Sequence, residues 1–207
     1  MAKQLPVFFL MPRLIGTAIA MAIYWPGRAT YDQRMSSING IANGDLELGY
    51  VYLAAGVLSI LGWFLNSYPM LYKSAVMPGN AGNLRANMQI YKVNTQKGGR
   101  MPAVVLEDEG AVGQYNRANR ALFHFVENVA PLLPCIFLAG LIFSKAMLAL
   151  VVVYAVARVW YQVAYSTGGY GMGLCKHALP FFVHTIFVAN TIEMLTWIAG
   201  VRLLQLQ

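Results

Sequence analysis

Two short polar patterns sit inside otherwise apolar stretches of this 207-residue chain. Arg120, His124 and Glu127 are spaced i, i+4, i+7; Arg158, Tyr161 and Tyr165 are spaced i, i+3, i+7. On a helix each set occupies one face. Two guanidinium groups and two phenol hydroxyls, brought together, make a donor-rich pocket suited to a small anionic ligand carrying carboxylates. Glu127 adds an acceptor for a ligand ammonium or amide, or a partner for Arg158. A plainer account has Arg120 and Arg158 snorkelling toward water, with Glu127 pairing with one of them to hold neighbouring helices.

Whether the two faces meet depends on the elements that carry them. The chain has 15 Lys+Arg and 8 Asp+Glu, so 11% is charged while 58% is hydrophobic; average soluble domains run at about 25% charged. A soluble domain of this size cannot hide so much apolar side chain beneath a polar surface. Disorder, a solvated coiled coil and a secreted disulfide scaffold are also excluded, the last because there are 2 Cys. An integral membrane protein remains. Gaps between charges locate its helices. Glu47 and Lys73 are separated by 25 uncharged residues, and Ala121–Ser144 is interrupted only by His124 and Glu127. Ala146–Ser166 is interrupted only by Arg158, and Ala178–Val201 only by His184 and Glu193. Each stretch reaches the roughly 20 residues that cross about 30 Å of hydrocarbon. Spans are expected at about 48–70, 120–143, 146–166 and 178–203. The ten-residue alternation of a membrane barrel is missing. The expected fold class is therefore all-α integral membrane, a four-transmembrane-helix bundle with an additional N-terminal apolar helix.

That additional helix is placed from about Leu14 to Tyr24, interfacial or packed on a partner, because Pro6, Pro12 and Arg13 split the run Leu5–Trp25. A fifth span is the alternative, and the segment also resembles a signal or transit peptide, having no acidic residue before Asp32. Residues 1–45 then form an extension and 46–207 the membrane domain. Lys73–Asn119 is the long polar stretch between the first two spans, rich in Pro and Gly, and reads as loop with one short helix near Asn83–Tyr91. With Arg120, and Lys176 from the loop after span three, this side holds eight cations (Lys73, Arg85, Lys92, Lys97, Arg100, Arg117, Arg120, Lys176). The other side holds four (Arg28, Arg34, Lys145, Arg202). The excess puts the long loop on the cytoplasmic side or its organellar equivalent. The formal charge of +7 is thus a membrane-face bias and implies no nucleic acid. The second span starts on that side and the third ends there, so both polar faces fall in the same half of the membrane.

At these residues the sequence resembles a known family. The run Tyr115-Asn116-Arg117-Ala118-Asn119-Arg120-Ala121-Leu122-Phe123-His124-Phe125-Val126-Glu127-Asn128 is similar to the second-helix signature of the MAPEG superfamily. These are membrane-associated proteins of eicosanoid and glutathione metabolism, including microsomal glutathione transferases and prostaglandin E synthase. Their pattern is Arg-Ala, then Asn three residues after the Ala and Glu three further on. Ala157-Arg158-Val159-Trp160-Tyr161-Gln162-Val163-Ala164-Tyr165 resembles the third-helix motif of Arg, aromatic or His, then Tyr. The resemblance covers about Leu46 to Leu204. It implies a homotrimer in membrane lipid, with glutathione as co-substrate between neighbouring subunits on the cytosolic side. Arg120, His124, Glu127, Arg158, Tyr161 and Tyr165 would be its contacts. It further implies a transferase or peroxidase acting on lipophilic electrophiles or lipid hydroperoxides, in the endoplasmic reticulum or, alternatively, a mitochondrial or other organellar membrane. His124 stands where the family usually has Asn, and Phe123 where several active members have a second Arg. The thiolate-activating Arg at the start of the family's fourth helix has no clear counterpart; Lys176 and His177 are the candidates for that catalytic role. The alternative that fits these departures is a non-catalytic structural subunit, packed through residues 1–45 against unlike subunits of a larger membrane complex. A lipid-binding adaptor that presents a fatty acid is a third class.

Other signals carry less. Gly169-Tyr170-Gly171-Met172-Gly173 lacks the preceding strand of a nucleotide loop and reads as an interhelical connection. His124 and Glu127 reverse the di-iron helix motif, and His177 and His184 lack a Cys or carboxylate to complete a ligand set, so no metal is expected. Cys135 is packing, while Cys175 beside Lys176 is an inert loop thiol or a somewhat activated one. Glu107-Asp108-Glu109 is a solvated turn before the second span, or a contact to a neighbour's basic loop. Glu193, alone on the last helix, has no assigned partner.

Overall fold

Ala54, Leu58, Leu61 and Leu65 recur at helical spacing and are buried along one side of helix α1, Leu48–Ser67. The computed structural model describes residues 47–77, 88–94, 103–168 and 178–205, with scattered positions between 14 and 33. Pro69 has no N–H to donate. The ladder is therefore interrupted at Tyr68–Pro69 and rejoined by Leu71 and Tyr72 N–H groups donating three residues back, both at 3.1 Å. Helix α2, Met70–Val76, carries the chain on. Together they form the first of four segments, among the described residues, long and apolar enough to cross a membrane: Leu48–Val76, Gly110–Ile142, Ser144–Gly168 and Ala178–Gln205.

All four expected spans are present, and the second extends well beyond its expected start. Helix α3, Gly110–Gly140, is about 46 Å long at 1.5 Å per residue, against about 30 Å of hydrocarbon. Its first turns therefore project out on the side of the long loop. Helix α4, Ser144–Gly168, follows after only Leu141–Phe143, where the Phe143 N–H donates to the Ala139 carbonyl at 2.7 Å. So short a link makes the two helices antiparallel neighbours. The last span has three parts: α5, Ala178–Phe181, a π-helical stretch Phe182–Ala189, and α6, Asn190–Gln205. Helix α4 packs against α1, α3 and the π-helical stretch, and α6 lies on α3. Leu58, Leu61, Leu132, Ile136, Met147, Val151 and Ile192 meet in the apolar core.

The long loop differs from the sequence expectation. Of the short helix expected near Asn83–Tyr91, residues 83–87 lie outside the described residues, and its end is not helical: Tyr91 opens strand β1, Tyr91–Asn94, which pairs antiparallel with β2, Ala103–Leu106. Tyr and Val favour an extended backbone, and the buried Asn116 side chain completes the arrangement. Its amide donates to the Ile90 and Glu107 carbonyls, both at 2.7 Å, and accepts from the Ile90 N–H at 3.0 Å, as a neighbouring strand would. Asn119 donates to the Met88 carbonyl at 2.9 Å. The two asparagines fasten the ribbon to the projecting end of α3. Gly110 adopts φ +57, and a Cβ on Gly113 would collide with the Asp108 carbonyl, so the entry into α3 needs glycine twice.

Glu107, Asp108 and Glu109 form the solvated turn expected before the second span, and a cation of the same chain ties it down. Lys92 on β1 reaches the Glu107 and Asp108 carboxylates at 2.9 Å each and Glu109 at 3.8 Å. The Glu109 amide and Lys92 hold the Glu107 carboxyl below its ordinary value, and Lys92 does the same for Asp108. Asp108 and Glu107 in turn push Lys92 up. At the opposite end Glu47 accepts from Lys145 at 2.6 Å and from Ser144 at 3.1 Å, tying the start of α1 to the start of α4. The N-terminal helix expected near Leu14–Tyr24 lies for most of its length outside the described residues.

Candidate functional site

Along α4 one stripe runs Met147, Val151, Tyr154, Arg158, Tyr161, Tyr165, and every member is buried. It begins as apolar core and becomes polar toward the loop side. Arg158 is completely buried. Its Nη2 donates to the Ala121 carbonyl at 2.7 Å, and its Nη1 lies 3.2 Å from His124 Nδ1 and 3.3 Å from His184 Nε2. A guanidinium only donates. Both imidazole nitrogens facing it therefore accept, which fixes the tautomers: His124 carries its proton on Nε2, and His184 carries its on Nδ1, where Thr185 Oγ1 receives it at 2.8 Å.

Rings enclose this centre. The guanidinium lies 5.1 Å from the Tyr161 centroid and 5.6 Å from that of Phe125, distances at which a cation is attracted to a π face. Tyr161 stacks on Tyr165 at 5.4 Å with 8° between planes. Phe181 and Tyr154 pack edge-on to His184. The charge has no anion to balance it: among the described residues Arg158 enters no ion pair, and its Nε lacks a partner. A buried charge without a counter-ion is costly.

Three of the six expected contacts, His124, Arg158 and Tyr161, thus meet directly, and Tyr165 joins them by stacking. Arg120 and Glu127 do not. They pair with each other at 3.0 Å on the outer face of α3, with side chains 47% and 55% exposed. Two turns of helix separate them, and the long arginine side chain spans that gap. Glu127 therefore pairs with Arg120 rather than Arg158, and Arg158 does not snorkel. His124 occupies the face between this pair and the buried arginine. Lys176 and His177 lie outside the described residues.

Sequence reasoning missed one participant, His184, and the burial of Lys73. His184 was visible only as a possible metal ligand, yet it enters the membrane from the side on which α4 ends, the depth needed to meet Arg158. The π-helical stretch that presents it gives no simple periodic signal. Lys73, 1% exposed at the end of the first span, has its Nζ unpartnered among the described residues. Beside it a hydroxyl network links Tyr68, Tyr72 and Ser166 at 3.3–3.4 Å, joining α1 and α2 to the end of α4.

Comparison with known proteins gives one match: a sequence model described as the MAPEG family covers residues 48–188. That range includes α1 through most of the π-helical stretch, and so every residue of the buried arginine centre. No curated protein matches, and no solved structure matches.

Proposed function

Because this chain belongs to the MAPEG family, an assignment that supports a glutathione-transferase-like or related function at the membrane, we propose that it is a glutathione-dependent transferase or peroxidase for lipophilic electrophiles or lipid hydroperoxides. One observation carries the reading: a fully buried arginine whose partners are neutral imidazoles, a carbonyl and aromatic faces. Such a cation favours an anion arriving from outside the chain. Glutathione supplies carboxylates for it and an ammonium that a carboxylate such as Glu127 accepts. The half-exposed Arg120–Glu127 pair forms the rim of the site, and a second copy of the chain closes it as part of a homotrimer.

The chemistry follows from thiol acidity. An ordinary thiol titrates near 8.5, so little thiolate exists at neutral pH, and the thiolate is the nucleophile. A nearby cation or hydroxyl donor raises that fraction; Lys176 and His177 hold this role in the proposal. The thiolate sulfur attacks an electrophilic carbon and displaces its leaving group. With a hydroperoxide it attacks the terminal oxygen, giving an alcohol and a sulfenic acid that a second glutathione resolves to the disulfide. The apolar outer faces of the helices deliver such substrates from the bilayer.

Isothermal titration of the purified full-length protein with glutathione is the test, with conjugation of a model electrophile beside it. Saturable binding that Tyr165→Phe weakens supports the reading. Absence of both binding and conjugation overturns it and leaves the structural-subunit alternative.

A further inference from the structure

The π-helical stretch borders a cavity of about 200 Å³ that the glutathione reading does not use. It lies between α3, α4 and the last span, and its polar lining is Asn128, Tyr154, His184, Thr185, Asn190 and Glu193. Glu193 falls near the middle of Ala178–Gln205, at a depth where an ionisable side chain is expensive and by default functional. Among the described residues it enters no ion pair.

The orientation of the lining decides what the cavity accepts. Asn190 Nδ2 donates to the Ile186 and Thr185 carbonyls at 2.7 and 3.3 Å, serving acceptors that the wider π-helical turn leaves available. Asn128 Nδ2 donates to the His124 carbonyl at 2.6 Å. Because the partners are carbonyls, each amide must turn its nitrogen to its own helix, and the oxygen becomes the outward atom. Thr185 Oγ1 receives the His184 proton and keeps its own O–H and a second lone pair. Two amide oxygens and a carboxylate therefore stand at the cavity as acceptors. Asn128 and Asn190 are exposed on the outside of the bundle, so the cavity opens toward the region lipid occupies.

We infer that this cavity binds the protonated amine head of a long-chain amphiphile, with Glu193 as counter-ion and the Asn128 and Asn190 amide oxygens completing the acceptor set. An ammonium has three donors and no acceptor, which matches the two amide oxygens and the carboxylate of this lining, and the Tyr154 and Thr185 hydroxyls can turn a lone pair toward it. An apolar chain brings it to mid-membrane depth and continues into lipid. The volume exceeds what the head needs, since a water occupies about 30 Å³ of liquid. The site shares His184 and Tyr154 as a wall with the Arg158 centre, but its acceptors, Glu193, Asn128 and Asn190, take no part in the glutathione reading.

Dodecylamine brominated along its tail is the probe, titrated into full-length protein in lipid nanodiscs and read by tryptophan quenching. Trp197 lies one helical turn from Glu193, close enough for bromine to quench it. The expected result is saturable quenching that disappears in Trp197→Phe and shifts to at least tenfold higher concentration in Glu193→Gln. Asn190→Ala, at an exposed position, shifts it in the same direction by less. Brominated dodecanol and dodecyl sulfate should quench in proportion to concentration without saturating. An unshifted Glu193→Gln curve, or equal saturation by the alcohol, overturns the inference. So does a failure of amine binding in which Glu193→Gln dissociates the assembly, because a neighbouring chain's cation then occupies the carboxylate. Glutathione titration of the same preparation separates the two readings: retained glutathione binding with no amine binding defeats this one alone.

Discussion

Two arginines on facing helices, Arg158 and Arg120, carry the same charge into the same half of the membrane and meet opposite fates. Arg120 is half-exposed and already balanced by Glu127 at 3.0 Å. Arg158 is wholly buried, and its partners are neutral. An exposed pair that satisfies itself contributes little and asks for nothing further. A buried cation without an anion reduces the stability of the empty protein and favours a ligand that supplies the missing charge. The difference separates a rim from a binding centre, even though both residues lie within recognisable motifs.

Replacing Arg158 by Met gives the largest expected effect and the sharpest test of that contrast. Met roughly fills the volume and removes a buried charge that has no counter-ion, a cost to the empty protein that offsets the loss of donors to His124, His184 and the Ala121 carbonyl. Glutathione binding should fall by at least about 30-fold, from the about 2–5 kcal/mol attached to a buried charge pair at about 1.4 kcal/mol per tenfold. Thermal stability of the ligand-free protein should not fall. Calorimetry and a melting curve on one preparation measure both. If the variant melts early yet binds normally, Arg158 is structural and the comparison breaks.

Asn116→Ala ranks next and applies the same rule away from the site. Its buried amide serves three backbone groups; removing it takes the partner from the Ile90 N–H and the Glu107 carbonyl, while the Ile90 carbonyl keeps the Glu107 N–H, at about 1–3 kcal/mol per buried group left unsatisfied. An expected loss of about 2 kcal/mol should raise hydrogen exchange at the Ile90 amide roughly 30-fold, with glutathione binding changing far less than in Arg158→Met. Unaltered exchange would show that burial of a polar group is a poor guide to its weight in this protein.

These residues also mark what could be read from sequence. The spans were legible because charges are rare, and a charge-free apolar run of roughly twenty residues matches the thickness of the hydrocarbon layer when wound as a helix. Convergence of His124, Arg158, Tyr161 and Tyr165 was legible because helical spacing fixes faces and charge bias fixes direction. The pairing of Arg120 was not, since a long side chain reaches two turns and spacing alone names no partner. The β1–β2 ribbon was hidden because each strand is only four residues long and depends on a side chain from α3. His184 was hidden by π-helical winding, which moves a side chain off the face that regular periodicity assigns.

The Arg120–Glu127 pair should show the smaller side of the contrast. A double-mutant cycle with Arg120→Gln and Glu127→Gln is expected to give a coupling of less than about 1 kcal/mol in thermal unfolding, falling further as salt rises. A coupling several times larger would mean that the pair is buried in the assembled protein and that exposure in one chain misstates its role.

Smallest of all should be the pH response of the exposed Lys92 cluster. The folded Glu107 and Asp108 carboxyls lie below their ordinary values of 4.5 and 3.8. Their stabilisation is therefore present above those values and is lost as pH falls through the depressed ones. Lys92 is raised above 10.5, so its share is present below that value and disappears only as pH rises past its elevated titration. Between about 4.5 and 10.5 none of the three titrates, and ribbon stability followed by hydrogen exchange should be level through the intervening neutral range, declining on acidification below it and again in strong alkali above it. Lys92→Gln should abolish the Asp108 share of that acid decline and reduce the Glu107 share, which the Glu109 amide chiefly holds, while leaving glutathione binding unchanged, because the cluster acts on the ribbon and not on Arg158. An acid decline that survives Lys92→Gln undiminished would assign the response to the carboxylates' backbone contacts, where the Glu109 amide is the principal partner of Glu107.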